Sequence, residues 1–169
     1  MPSPCRPLMV NAVELLRVPG ARRCIDAELA PTDVGLDDDR LTGDIGVALE
    51  LDVTLDGIVV SGRLIARWHG TCRRCLGDVH GVADIDVAEL YQVVITDPDA
   101  FPIVDGQLDL TEMVREDVLL ELPDTPLCGD DCAGLCPVCG IDRNESSCTC
   151  DGTVRDDRWA ALDQLRLDD

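Results

Sequence analysis

Val47, Leu49, Leu51, Val53 and Leu55 alternate with Ala48, Glu50, Asp52 and Thr54. A period of two places one set on a buried sheet face and the other in solvent, so this stretch reads as a half-buried strand. Asp56-Gly57 follows at once, and Asp-Gly between alternating runs is a hairpin signal because glycine tolerates positive φ. "IVVSGRLIARWH" is the predicted return strand and "VADIDVAELYQVV" a third, with Gly62 marking a bend or bulge. "CIDAELA", residues 24–30, alternates well enough to add another strand. Together these predict an antiparallel meander, curved or barrel-like.

The period changes elsewhere. "LDLTEMVREDVLLELP" reads as a helix, with Thr111 as its cap, Glu112 and Glu116 in its early turns, and an apolar stripe of Met113, Val114, Val118 and Leu122. Pro123 and Pro126 stop it. "MVNAVELLRV", residues 9–18, predicts a short helix or turn broken by Pro19-Gly20, and "DRWAALDQLRL" a terminal amphipathic helix with Trp159, Leu162 and Leu165 on one side.

Composition limits how such elements are stabilised. Aromatic residues are 2% of the 169, so the core must be Val, Leu, Ile and Ala, and a structural metal would help it. Acidic residues number 34 against 14 basic ones, every one an arginine, for a formal net charge of −20. So acidic a body repels phosphate backbones and favours a basic protein partner. No apolar run approaches the ~18 residues of a membrane helix, and "MPSPCRPLMVNAVELL" lacks the long apolar region of a secretion signal, Glu14 interrupting it. Both point to a cytoplasmic protein without membrane contact, where thiols stay reduced.

That matters because there are 10 cysteines. Eight form four close pairs: Cys72 and Cys75, Cys128 and Cys132, Cys136 and Cys139, Cys148 and Cys150. A Cys-x-x-Cys at a β-turn is a knuckle whose two thiolates converge on one metal; "TCRRCL" falls between two predicted strands, and "CPVCG" repeats the form. The set predicts two structural zinc ions, each held by four thiolates with no position left for water. The compact grouping joins Cys136 and Cys139 to Cys148 and Cys150, leaving Cys128 and Cys132 for Cys72 and Cys75. The alternative joins the two knuckles, Cys72–Cys75 with Cys136–Cys139, as in a zinc ribbon. Cys5 and Cys24 read as inert thiols, and His69 and His80 as ordinary sheet residues beside the first knuckle.

Catalytic signatures are missing. The sequence has no Gly-rich phosphate loop and no serine-centred elbow. A redox Cys-x-x-Cys belongs at a helix start in a βαβ setting, whereas Cys72 and Cys75 lie between antiparallel strands; a thiol-redox role for that pair is the enzyme alternative.

Several stretches in fixed order carry a resemblance: "VELLRVPGARR", "DGIVVSGRLIARWHGTCRRCL", "DLTEMVREDVLLELPDTPLC", "GLCPVCGIDRNESSCTC" and "DDRWAALDQL". They resemble the metal-bearing form of the YceD-like family, the large ribosomal RNA subunit accumulation proteins. "GIDRNE" departs from that family's usual turn after the knuckle. The resemblance implies a non-enzymatic role in making or stabilising large-subunit ribosomal RNA. It also implies a link to a basic large-subunit ribosomal protein, whose gene commonly neighbours that of the family.

The expected chain is therefore mostly β with some α. A β-rich core over 1–126 carries the first knuckle and the packed helix, and a cysteine-rich module with its helix covers 127–169. The expected function is a factor in ribosome assembly that holds a basic ribosomal protein or a pre-ribosomal particle. The second reading is a zinc-ribbon RNA binder contacting RNA through Arg67, Arg73 and Arg74 beside Trp68.

Overall fold

The computed structural model describes residues 8–150 and Arg158. They fall into two compact units, one within Met1–Gly70 and His80–Asp124, the other within Thr71–Val79 and Thr125–Asp169. The first knuckle thus lies in the second unit with the later cysteines, whereas chain order alone places it with the β-rich part. Its side chains meet cysteines that follow Pro126, not the sheet core.

The first unit is built on a five-stranded sheet in the order β2 (Arg22–Leu29), β3 (Ile45–Val53), β4 (Ile58–Thr71), β5 (Asp78–Gln92), β6 (Phe101–Pro102). β2–β3 and β3–β4 pair antiparallel, but β6 runs parallel to β5, so the sheet is mixed. It does not close into a barrel among the described residues: β2 stands at one edge and the two-residue β6 at the other. A separate ribbon pairs β1 (Met9–Asn11) with β7 (Gln107–Asp109). The helices are α1 (Ala12–Leu16) and α2 (Thr111–Glu121).

Alternation does what it predicts within β3, but Leu55, predicted on the same buried face, lies beyond the strand end at Val53 and is fully exposed. Ile45, Val47, Leu49 and Leu51 are buried, and Val60, Leu64 and Ala66 of β4 cover the same side. The Asp56-Gly57 turn closes with the Thr54 N–H donating to the Gly57 carbonyl at 2.8 Å. Gly62 makes no bulge, because the β3–β4 register runs straight through Leu49↔Gly62. Its φ is 145°, and a Cβ there would strike the Ala48 carbonyl oxygen, so the position needs glycine for close backbone approach.

α2 buries Met113, Val114 and Val118, flanked by buried Leu110 and Leu122, as the stripe requires. Thr111 is its first residue and not its cap. Asp109 Oδ1 accepts the Thr111 N–H at 2.9 Å, an acceptor two residues earlier than the pattern indicates. Residues 9–11 form β1 instead of helix, because β7 offers them a partner that local periodicity cannot reveal. β5 begins four residues before the third predicted strand, so that His80 and Gly81 extend the hairpin arm; a Cβ on Gly81 would strike the Trp68 ring. The core is aliphatic apart from Tyr91, the only tyrosine, which stacks on Phe101 at 5.2 Å and donates to the Asp109 carbonyl at 3.3 Å. The predicted terminal helix and Cys5 lie outside the described residues.

Candidate metal centres

Each knuckle is shaped by backbone before any metal is considered. At Cys72 the residue's own N–H donates to the Gly77 carbonyl at 2.8 Å, and its carbonyl accepts from the Leu76 N–H at 2.9 Å. At Cys136 the N–H donates to the Ile141 carbonyl at 2.8 Å, and the carbonyl accepts from the Gly140 N–H at 2.9 Å. Both loops pass through the left-handed region at the residue after the second cysteine, with φ 61° at Leu76 and 74° at Gly140. This turn points both thiols of a pair to one side.

The remaining cysteines complete two groups. The sulfurs of Cys72, Cys75, Cys128 and Cys132 all lie within 4.8 Å of one another, and so do those of Cys136, Cys139, Cys148 and Cys150. The two knuckles therefore sit in different groups, and the ribbon grouping is not the one adopted. Cys72 and Cys132 are 3.8 Å apart, Cys75 and Cys128 3.7 Å. A tetrahedron with metal–sulfur bonds of about 2.3 Å has edges of about 3.8 Å, so the first set fits one tetrahedral ion. Two clusters of four thiols are thus in place, each able to hold a metal ion with every tetrahedral position taken by sulfur. Cys24, exposed on β2, joins neither.

The electrostatics match between the clusters. The Cys75 N–H, with help from the Arg74 N–H, lowers Cys72 to about 6. The N–H groups of Cys139 and Val138 lower Cys136 to about 6. Cys128 is pushed up to about 12, first by hydrogen bonding with Cys132, and Cys150 to about 12, first by Cys139. Without metal, then, each cluster favours one thiolate, stabilised by knuckle amides, while another member keeps its proton. A metal ion supplies the positive charge that lets all four ionise.

Three side chains that periodicity and spacing pass over complete the sites. Asn144 donates from Nδ2 to Cys132 Sγ at 3.4 Å and accepts the Ala133 N–H at Oδ1 at 2.8 Å. It belongs to the loop that closes the second cluster, yet it serves a sulfur of the first. Arg143, its neighbour, hydrogen-bonds Cys136, which holds the guanidinium further up than usual. Arg74 donates from one guanidinium nitrogen to the carbonyls of Asp130 (3.2 Å) and Cys132 (3.1 Å), and its own carbonyl accepts the Leu135 N–H at 3.0 Å. Outer hydrogen bonds of this kind orient ligands and tune a metal. The available signal is "GIDRNE" itself, which places Arg143 and Asn144 directly after the second knuckle.

His69 and His80 stack on the first unit at 6.2 Å between ring centroids, and His69 Nδ1 lies 3.2 Å from the Arg40 carbonyl. Neither belongs to a cysteine cluster. Arg67 and Arg73 are exposed.

The family model for the large ribosomal RNA subunit accumulation protein YceD matches residues 60–166, a span holding all eight clustered cysteines. The chain belongs to the YceD family. An uncharacterized protein of Mycobacterium tuberculosis is 33% identical over 147 residues, covering 80% of this chain and 70% of the relative. A chloroplastic YCED homolog 1 of Zea mays, named as a large ribosomal RNA subunit accumulation protein, is 39% identical over 51 residues, 30% of this chain and 17% of the relative. The Arabidopsis thaliana homolog of that name is 32% identical over 66 residues, 39% of this chain and 21% of the relative. No solved structure matches. The family name ties the YceD fold to accumulation of large-subunit ribosomal RNA. Among the described residues, no helix is long and apolar enough to cross a membrane.

Proposed function

We propose that this YceD protein is a non-catalytic cytoplasmic assembly factor that holds a basic large-subunit ribosomal protein, or the pre-ribosomal particle carrying it. Ribosomal RNA accumulation then follows from correct delivery. The net charge of −20 in a family named for ribosomal RNA carries this reading. Phosphate contacts dominate nucleic-acid affinity, and carboxylates around a basic patch oppose them within the ~8 Å screening length of physiological salt. A basic protein instead meets attraction over most of the surface, which speeds its capture.

The two clusters hold one zinc ion each, with Cys72, Cys75, Cys128 and Cys132 on the first and Cys136, Cys139, Cys148 and Cys150 on the second. Zinc here supplies folding energy and no reaction, since all four positions are sulfur. That also weighs against redox use of Cys72 and Cys75, whose thiols are committed to a four-membered set.

Direct RNA contact through Arg67, Arg73 and Arg74 is the competing reading. Arg74 supports it least, because its guanidinium already serves two backbone carbonyls. Binding to a basic large-subunit ribosomal protein and to ribosomal RNA, measured across a salt series, separates the two. Tight, salt-sensitive protein binding and weak RNA binding are expected. RNA binding that is tighter at physiological salt, and is lost on R67A/R73A, would overturn the escort reading.

A further inference from the structure

β5 is a 15-residue strand, and its outer neighbour β6 covers only Tyr91 and Gln92. From His80 to Val87 no strand among the described residues pairs with that side of β5. Eight residues at about 3.3 Å each leave roughly 26 Å of open edge, enough for one added strand of ordinary length. Natural sheets usually shorten, cover or bulge such an edge, since bare N–H and C=O groups recruit other strands. Among the described residues no helix or loop makes a backbone hydrogen bond along this stretch. Alternation continues through the stretch, with Ala83, Ile85 and Val87 buried and His80, Val82, Asp84 and Asp86 exposed.

The charges beside this edge select an occupant. On the solvent face Asp84 and Asp86 share a single cation, Arg63, at 3.2 and 3.1 Å. Past the far end Glu89 is crowded by Asp117, Asp99 and Glu116, and burial together with these carboxylates holds it above its ordinary range. β5 itself carries no Lys or Arg. The opposite edge of the sheet, β2, begins with Arg22 and Arg23 and is mixed in sign. A second copy pairing edge to edge would bring Asp84 and Asp86 against their own kind, in a chain already at −20.

We infer that the open edge of β5 between His80 and Val87 receives an extended, Lys/Arg-rich segment of a protein partner as an added sixth strand. Main-chain hydrogen bonds to β5 would hold it, and its alternate basic side chains would meet Asp84 and Asp86 on one face and the Glu89 group beyond. The inference rests on the escort reading and says where on the first unit the basic partner attaches.

The test uses the full-length, zinc-loaded chain and a synthetic ten-residue peptide of alternating Val and Lys, capped at both ends. Three controls each change one feature: a Val/Glu peptide reverses the charge, and two Val/Lys peptides N-methylated at odd or at even residues keep the charge and block backbone donors. The expected result is binding of the parent peptide, slowed amide exchange confined to 80–87, and a loss of at least tenfold for one methylated peptide but not the other. E89Q/D99N/E116Q/D117N should weaken the parent peptide severalfold while leaving the fold intact, as reported by unchanged exchange in β2–β4. Equal binding of both methylated peptides would reduce the interaction to charge alone and overturn the inference. So would protection elsewhere, or self-association of the chain that protects 80–87 in sedimentation and exchange measurements. A basic large-subunit ribosomal protein is measured in parallel. If it binds without protecting 80–87, the strand-edge inference fails and the escort reading stands; if it does not bind, the escort reading itself fails.

Discussion

The two knuckles have the same hydrogen bonds, the same depressed first thiol and the same left-handed residue after the second cysteine, yet they close by different routes. "CPVCG" meets Cys148, nine positions beyond Cys139, and reaches left-handed backbone with a glycine. "CRRCL" meets Cys128, 53 positions beyond Cys75, and reaches the same backbone with Leu76. Closing a loop costs about (3/2)RT ln n, so the longer closure restricts the unfolded chain by about 1.5 kcal/mol more than the shorter one. The distant site thus gains more from a metal clip, and it tolerates a strained residue that the local site avoids. The lesson is that one ligand geometry can be reached from local sequence or imposed by tertiary closure, and the imposed version carries the irregularity.

The largest effect should come from removing metal altogether. Structural zinc contributes on the order of 10–16 kcal/mol in small modules, so a strong chelator should unfold the unit holding both knuckles and leave β2–β5 protected. Elemental analysis before treatment should find two zinc ions per chain. Slow amide exchange surviving throughout 125–150 after chelation would break the assumption that both knuckles depend on metal.

Single ligand changes sharpen the contrast. Cys72→Ser and Cys136→Ser should each release one of the two ions and leave the other bound. The Cys72 variant should lose more global stability, by about 1.5 kcal/mol from the closure term, read from denaturant midpoints. If both variants release the same ion, the two knuckles share a site and the comparison collapses.

Acid should act on both centres together. Cys72 and Cys136, each held near about 6, are already thiolates at pH 7, while Cys128 and Cys150, pushed up to about 12, still hold protons that metal must displace. Metal binding therefore releases protons, affinity rises with pH, and it falls steeply once acid also protonates Cys72 and Cys136 below about 6. Metal release followed with a zinc indicator should show one shared descent below neutrality. Two well-separated steps would show that the clusters differ electrostatically after all.

The smallest effect is at the left-handed position itself. Gly140→Ala meets no atom within 4 Å, so its cost is the backbone alone, about 1 kcal/mol. Leu76→Gly relieves a similar strain, offset by glycine's extra unfolded freedom, so it should be neutral or stabilising by a few tenths of a kcal/mol. Leu76 is 63% exposed and loses little burial. A clear loss of stability in Leu76→Gly would mean the leucine contributes a contact that outweighs its backbone strain.

Much of this molecule is written locally. The β3–β4 hairpin follows from period-two alternation and Asp56-Gly57, α2 from its apolar stripe, and four cysteine pairs from spacing alone, because each rests on contacts between residues a few positions apart. The YceD resemblance is legible for the same reason: its motifs are contiguous. What the sequence does not determine is whatever needs a partner far along the chain. Residues 9–11 become a strand only because β7 lies beside them, β6 pairs parallel where a meander predicts otherwise, and the sheet stays open. Cys72 finds Cys132, and Asn144 a sulfur of the other cluster, across separations that no periodicity encodes. Arg74, read from sequence as a candidate RNA contact, is bound to two carbonyls only once residues 130 and 132 are brought to it. Short-range patterns fix which elements form, since their energies are local. Which distant groups meet is decided by closure of the whole chain, where a hydrogen bond or a shared metal site stabilises one arrangement over the others.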